Sequence, residues 1–137
     1  MARSAPSAVS NPPMAGSIVA GITRKIGRCS DMVKVIALLK RRSDLTHEQF
    51  LKYWRETHAP LALKLFPGLR KYVHNYCAPS PLGEPAFDGV AEIWVDDVET
   101  LNAFTSSEEG KKVNEDKQRF IDHSQMVVLF VEEKTVK

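Results

Sequence analysis

The segment LTHEQF at residues 45–50 holds a complete helix start in six residues. Thr46 is placed to accept from the backbone, Gln49 to close a capping box, and Leu45 and Phe50 to staple across it. A helix that begins there fixes the phase of the residues after it. At about 100° per residue, Phe50, Trp54, Thr57 and His58 share one face while Lys52, Arg55 and Glu56 turn away, so the aromatic face must look inward. Pro60 cannot continue this helix without its ring meeting the Glu56 carbonyl, and it biases Ala59 away from helical dihedrals. The expectation is a helix that ends or kinks at His58 or Ala59, followed by a short turn that Pro67 and Gly68 stop.

Four short runs of β-branched, aromatic and apolar residues surround the helical stretches: VKVIALLK (33–40), LRKYVHNYC (69–77), VAEIWV (90–95) and QMVVLFVE (125–132). Each has strand length and strand composition. A turn-rich loop of about a dozen residues, APSPLGEPAFDG, joins the second run to the third, longer than a tight hairpin. After the third run, Asp96 with Glu99 reads as the cap of a helix whose inner residues are Val98, Leu101 and Phe104. Ser106 with Glu109 then reads as the cap of another, with Val113, Phe120 and Ile121 inward. The order β-α-β-β-α-β predicts an α+β domain of the ferredoxin-like, split βαβ type: a four-stranded antiparallel sheet with helices on one face. Such a sheet leaves an apolar face open, and two copies packed face to face would close it, so a homodimer is expected.

At 137 residues the chain has the length of one domain. Residues 1–31 are rich in Ala, Ser, Gly and Pro and lack helical or strand period, which reads as a disordered tail ahead of a domain at 32–137. The tail is basic, Ser-rich and almost free of acid, as organelle-targeting peptides are, but it is not amphipathic. An upstream segment on a cytoplasmic protein is therefore preferred. The overall charge of +2 comes from that tail: beyond residue 31, fifteen basic residues face sixteen acidic ones. A folded part so nearly neutral lacks the clustered basic face that nucleic acid requires. No apolar run approaches the ~20 residues that span a bilayer, so no membrane partner is expected. Cys29 and Cys77 form neither a disulfide framework nor a zinc spacing.

The stretches VKVIALLKRRSDLTHEQFLKYWRETHAPLAL, PGLRKYVHN, FDGVAEIWVDD and RFIDHSQMVVLFVEE together resemble the EthD family of the dimeric α+β barrel superfamily, from residue 32 almost to the end. The patterns Tyr-Trp-x3-His-x-Pro-Leu and Asp-Gly-Val-Ala-Glu-x-Trp carry the resemblance. It implies a dimeric α+β barrel. It also implies a choice of chemistries: the family is named for a protein required for bacterial ether degradation, and relatives in fungal polyketide pathways look like cofactor-free decarboxylases of anthrone-type aromatics. Wider members of the superfamily include monooxygenases, isomerases, cyclases and haem enzymes, so fold alone does not choose among them.

His58 is the candidate catalytic residue, as a titratable ring walled by aromatics and suited to proton transfer with a flat phenolic or enolate substrate. The bland alternative is a buried structural imidazole. A helix C-terminus would favour its imidazolium by ~0.3–1 kcal/mol, while an apolar cleft would disfavour it. Trp54, Tyr72, His74, Tyr76 and Trp94 are candidate substrate-binding residues for a planar apolar or aromatic ligand, with Tyr72 and His74 able to bond an oxyanion. Neither alternation set of 69–77 is cleanly apolar, so the side of this strand that faces the helices stays open. His47 and His123 read as surface or capping residues. No metal-ligand spacing and no nucleotide or flavin fingerprint is present; no cofactor is expected, although one histidine suffices for haem. Cys77 has no activating base near it in sequence. The leading reading is a cofactor-independent enzyme or enzyme accessory, of lyase or oxidoreductase type (decarboxylase, cyclase, isomerase or monooxygenase), acting on an aromatic or polyketide-like compound by acid–base chemistry. The alternative is a non-catalytic dimeric ligand-binding or accessory protein of an oxidative pathway.

Overall fold

The computed structural model describes residues 32–137; the tail reading of 1–31 and Cys29 lie outside the described residues. Strand β1 (Val33–Leu39) leads through a turn into α1 (His47–Tyr53). A π-helical turn (Trp54–His58) and α2 (Ala59–Leu65) continue the same helix. Then come β2 (Leu69–Tyr76), β3 (Gly89–Val95), α3 (Val98–Thr105), α4 (Glu108–Lys117), a 3₁₀ turn at His123–Gln125 and β4 (Val127–Val131). The sheet runs β2-β3-β1-β4, with all three pairings antiparallel, which is the ferredoxin-like arrangement.

The capping box at Thr46 forms in full: its side chain accepts from the Gln49 N–H, and the Gln49 side chain accepts from the Thr46 N–H. The two later caps fall one residue downstream of the expected positions. Asp97 accepts from Thr100 N–H and Ser107 from Gly110 N–H, while Asp96 is taken by Arg70. The expected helix break at Pro60 does not occur either. The Ala59 N–H bonds to the Trp54 carbonyl five residues back, and this widened turn makes room for the Pro60 ring in the first turn of α2.

Val33, Val35 and Leu39 of β1 and Ala91 and Val95 of β3 are buried beneath the helices. Phe50, Trp54, Phe120 and Ile121 cover one half of that face, and Phe66, Val98, Leu101 and Phe104 the other. Thr57, expected inward, is exposed. A bulge between Leu69 and Lys71 shifts the register of β2. Beyond it, Tyr72, His74 and Tyr76 stand opposite Ile93, Ala91 and Gly89 on the helix side. The opposite face of the sheet carries Ile36, Leu38, Val90, Trp94, Val127 and Leu129, with no helix above it among the described residues. Among the described residues, no helix is long and apolar enough to cross a membrane.

Candidate functional site

Trp54 is the centre of the site. Its ring is buried, stacks on His74 at 3.8 Å between centroids, meets Tyr76 edge-on at 5.6 Å, and donates from Nε1 to the Tyr72 hydroxyl at 3.1 Å. Gly89, opposite Tyr76 and Leu39 in the sheet, is what lets the indole lie so close. A Cβ there would stand 2.5 Å from Trp54 Cζ3. Tyr72, His74 and Tyr76 thus meet the helix face at Trp54, and beyond the bulge the even-numbered side of β2 is the side that looks at the helices.

Between β2 and α2 lies a cleft of about 300 Å³, lined by Ala59 and Leu63 from α2 and by Leu69, Tyr72 and His74 from β2. Arg70 and Lys71 border it too, but both are engaged elsewhere. Arg70 forks onto Asp96 at 3.0 and 2.8 Å, and the Lys71 ammonium lies 4.6 Å over the Trp94 ring. Trp94 is therefore not a member of this cleft. Strand alternation puts it on the opposite face of the sheet, where Lys34 also lies over it at 4.7 Å.

Burial holds His74 neutral, pushing its pKa down to about 4, with further lowering from His58 and Arg55. Its Nδ1 is 3.1 Å from the Tyr76 hydroxyl. The Tyr72 phenol is pushed up to about 12, chiefly by burial, so it keeps its proton at neutral pH.

His58 sits behind this layer. It is 4% exposed and does not line the cleft, although Ala59, its neighbour in the chain, does. Its ring packs on Phe120 at 5.0 Å, and Nδ1 lies 2.8 Å from Asp116 Oδ2. Asp116 is itself buried and is fixed by a second bond, from the Tyr53 hydroxyl to Oδ1 at 2.6 Å. Burial lowers the His58 pKa. The Asp116 hydrogen bond opposes that shift, and the Lys117 charge adds to it. Because the helix runs on through the π turn, no helix end stands at His58 to favour the imidazolium; desolvation decides the direction.

Asp116 and Tyr53, the partners in this buried cluster, are residues that the sequence patterns do not single out. One signal is available for Asp116: it lies three residues after Val113 on the inward stripe of α4, and an acid there needs a partner. The other two histidines read as surface or capping residues, His47 and His123, are both partly buried. His47 Nδ1 lies 2.8 Å from Oδ1 of buried Asp88, which Arg41 grips through its backbone N–H at 2.9 Å and its guanidinium at 3.0 Å. This latch ties the end of the β2–β3 loop to the start of α1. His123 is half-buried, with its Nε2 enclosed and unbonded among the described residues. The Cys77 thiol is pushed up by burial, away from the thiolate a nucleophile would need.

Comparison with known proteins adds a family and a fold. The profile of the EthD domain matches residues 42–124. A crystal structure of an ethyl tert-butyl ether D (EthD) family protein from Bacillus halodurans is 34% identical, covers 76% of this chain and all of its own, and superposes with a TM-score of 0.64. A hydroxynitrile lyase from Passiflora edulis shares the fold at 15% identity, covering 77% of this chain and 97% of its own, with a TM-score of 0.60. So does a dimeric protein of ferredoxin-like fold and unknown function from Bacteroides fragilis, at 15% identity, 74% and 96% coverage and a TM-score of 0.57. No curated protein matches the sequence.

Proposed function

Because the chain belongs to the EthD family, we propose that it is a small-molecule enzyme that works without a cofactor on an aromatic or polyketide-like compound, with His58 as its acid–base group. The observation that carries this reading is the buried pair of His58 and Asp116 behind an aromatic cleft. Asp116 accepts the Nδ1 proton, fixes the tautomer and leaves the Nε2 lone pair to act as base. A proton taken from an acidified C–H or O–H of the substrate forms an imidazolium that Asp116 stabilises, and the same proton returns to the product. Tyr53 holds the carboxylate in place for both steps. A lyase on the same fold, the Passiflora hydroxynitrile lyase, is compatible with such chemistry.

A dimer is part of the proposal. The uncovered sheet face carries Leu129, 45% exposed, beside Ile36, Leu38 and Trp94, and fold neighbours from Bacteroides fragilis, Jannaschia and Thermobifida fusca are described as dimeric.

One observation favours the rival reading, a binding protein without chemistry: His58 does not line the cleft that a ligand would fill. The test is His58→Gln, with Asp116→Asn beside it, assayed on a panel of enolisable aromatic ketones, hydroxyaromatic acids and aromatic cyanohydrins. As an enzyme, the protein loses turnover by ~10²–10⁴-fold in His58→Gln while ligand affinity stays within a few-fold. If the wild type turns over nothing in the panel yet binds, the binder stands. If His58→Gln unfolds with no ligand effect, His58 is a structural core residue.

A further inference from the structure

Tyr72 lines the cleft, and one side of its hydroxyl is already occupied by a neighbour. The Tyr72 oxygen already accepts the Trp54 Nε1 proton at 3.1 Å, and Trp54 is locked by its stack on His74 and its close seat over Gly89. An oxygen that accepts on that side turns its own O–H elsewhere, and Tyr72 is a wall of the cleft. The His74 ring beside it meets Tyr72 edge-on at 4.7 Å and turns Nδ1 to Tyr76. The two cations at the border already have partners, Arg70 on Asp96 and Lys71 over Trp94.

We propose that Tyr72 is the donor that fixes a ligand's oxygen in this cleft, so that the site selects flat ring compounds bearing an acceptor oxygen, such as a ketone, quinone or enolate, over rings of the same shape without one. This rests on reading the cleft as the ligand site, and it names the compound class that site takes. The Trp54 indole aims the phenol. A phenol that keeps its proton through neutral pH is a permanent donor, and as charge develops on an enolate oxygen its bond strengthens. A cleft of about 300 Å³ is at the small end of ligand pockets and suits one or two fused rings.

The experiment uses two near-isosteric probes on the full chain, 2-acetylnaphthalene and 2-isopropenylnaphthalene, with binding followed by titration calorimetry. The ketone is expected to bind roughly 5- to 50-fold tighter to the wild type. Tyr72→Phe should bring the ketone down to the level of the hydrocarbon while leaving hydrocarbon affinity within about two-fold. His58→Gln should keep the ketone preference whether or not turnover is lost, which separates this assignment from the acid–base reading. Equal affinities in the wild type, or an undiminished preference in Tyr72→Phe, would overturn the donor assignment and leave His58 untouched. Failure of both probes to bind at millimolar concentration would overturn it together with the cleft. If Tyr72→Phe does not fold, the infrared carbonyl stretch of wild-type-bound 2-acetylnaphthalene decides: a band lowered from its value in hexane supports the donor, and an unshifted band refutes it.

Discussion

Replacing Gly89 with Ala tests whether Trp54 is as rigidly seated as the site requires. The new Cβ would lie 2.5 Å from Cζ3, 3.1 Å from Cη2 and 3.3 Å from Cε3 of the indole, against about 3.5–4.0 Å for ordinary carbon contacts. Trp54 is 1% exposed, and His74 on its face and Tyr72 at its Nε1 hold it where it is. Gly89 is in a strand and not among the positive-φ glycines, so alanine meets no backbone strain there. Alanine even gains ~0.4–1 kcal/mol by restricting the unfolded chain. Overpacking a closed site costs ~1–3 kcal/mol, which outweighs that gain and leaves a net loss on the order of 1–2 kcal/mol. For a domain of this size the thermal midpoint falls by roughly 5–15 °C. Urea unfolding of Gly89→Ala, Trp54→Phe and the double variant gives the cycle: the smaller ring should relieve most of the alanine's cost. A neutral or stabilising Gly89→Ala would refute the seating. So would a cost that persists in full with Phe at position 54, since the clash would then lie elsewhere.

Acid should weaken the fold from about pH 6.5 downward. His58, His74 and His123 all have lowered pKa values, so between their folded and unfolded values the unfolded chain binds more protons and stability falls with pH. For His74 the window runs from 6.5 to about 4, and with solvent screening at this half-buried ring the loss is on the order of 1 kcal/mol. Thermal midpoints of wild type and His74→Phe across that range check it; an equally steep slope in the variant removes His74 as a cause. The dimer is checked by light scattering, which should give twice 15.4 kDa for the wild type and a shift to monomer for Leu129→Asp. A wild-type monomer at micromolar concentration would defeat the face-to-face packing.

The order of elements and the helix start at Thr46 are legible in the sequence because their signals are local: a capping box spans four residues, and strand composition is read within eight. The facing of β2 is not, and the bulge explains why. Leu69 looks at the helices from an odd position, Tyr72, His74 and Tyr76 from even ones, so no single alternation runs through the strand. Residue type alone assigns Trp94 to the cleft, whereas its parity with Glu92 and Val90 puts it on the face opposite Ala91 and Val95. The partners of the histidines are illegible for a different reason. Asp116 is 58 residues from His58 and Asp88 is 41 from His47, and no sequence spacing connects residues that only the packing of α4 or the β2–β3 loop brings together.

Pro60, by residue type the end of a helix, proves to be the reason for its shape. In an unbroken α-helix, His58 would drift about 80° around the axis from Phe50 over eight residues. The π turn at Trp54–His58 advances less per residue, bringing His58 back toward the line of Phe50 and Trp54, and all three are buried while Thr57 is left in solvent. The same widening accommodates the proline ring and keeps α2 in train, so that Ala59 and Leu63 reach the cleft while the ring one residue earlier turns down to Phe120 and Asp116. A leucine at 58 would fill this place but could not bond Asp116, whose carboxylate would then be buried with the Tyr53 hydroxyl as its closest partner. The Tyr-Trp-x3-His-x-Pro sequence is thus one device: the widened turn accommodates the proline and aims the histidine, and the tryptophan one turn earlier backs His74, a wall of the cleft, with its ring.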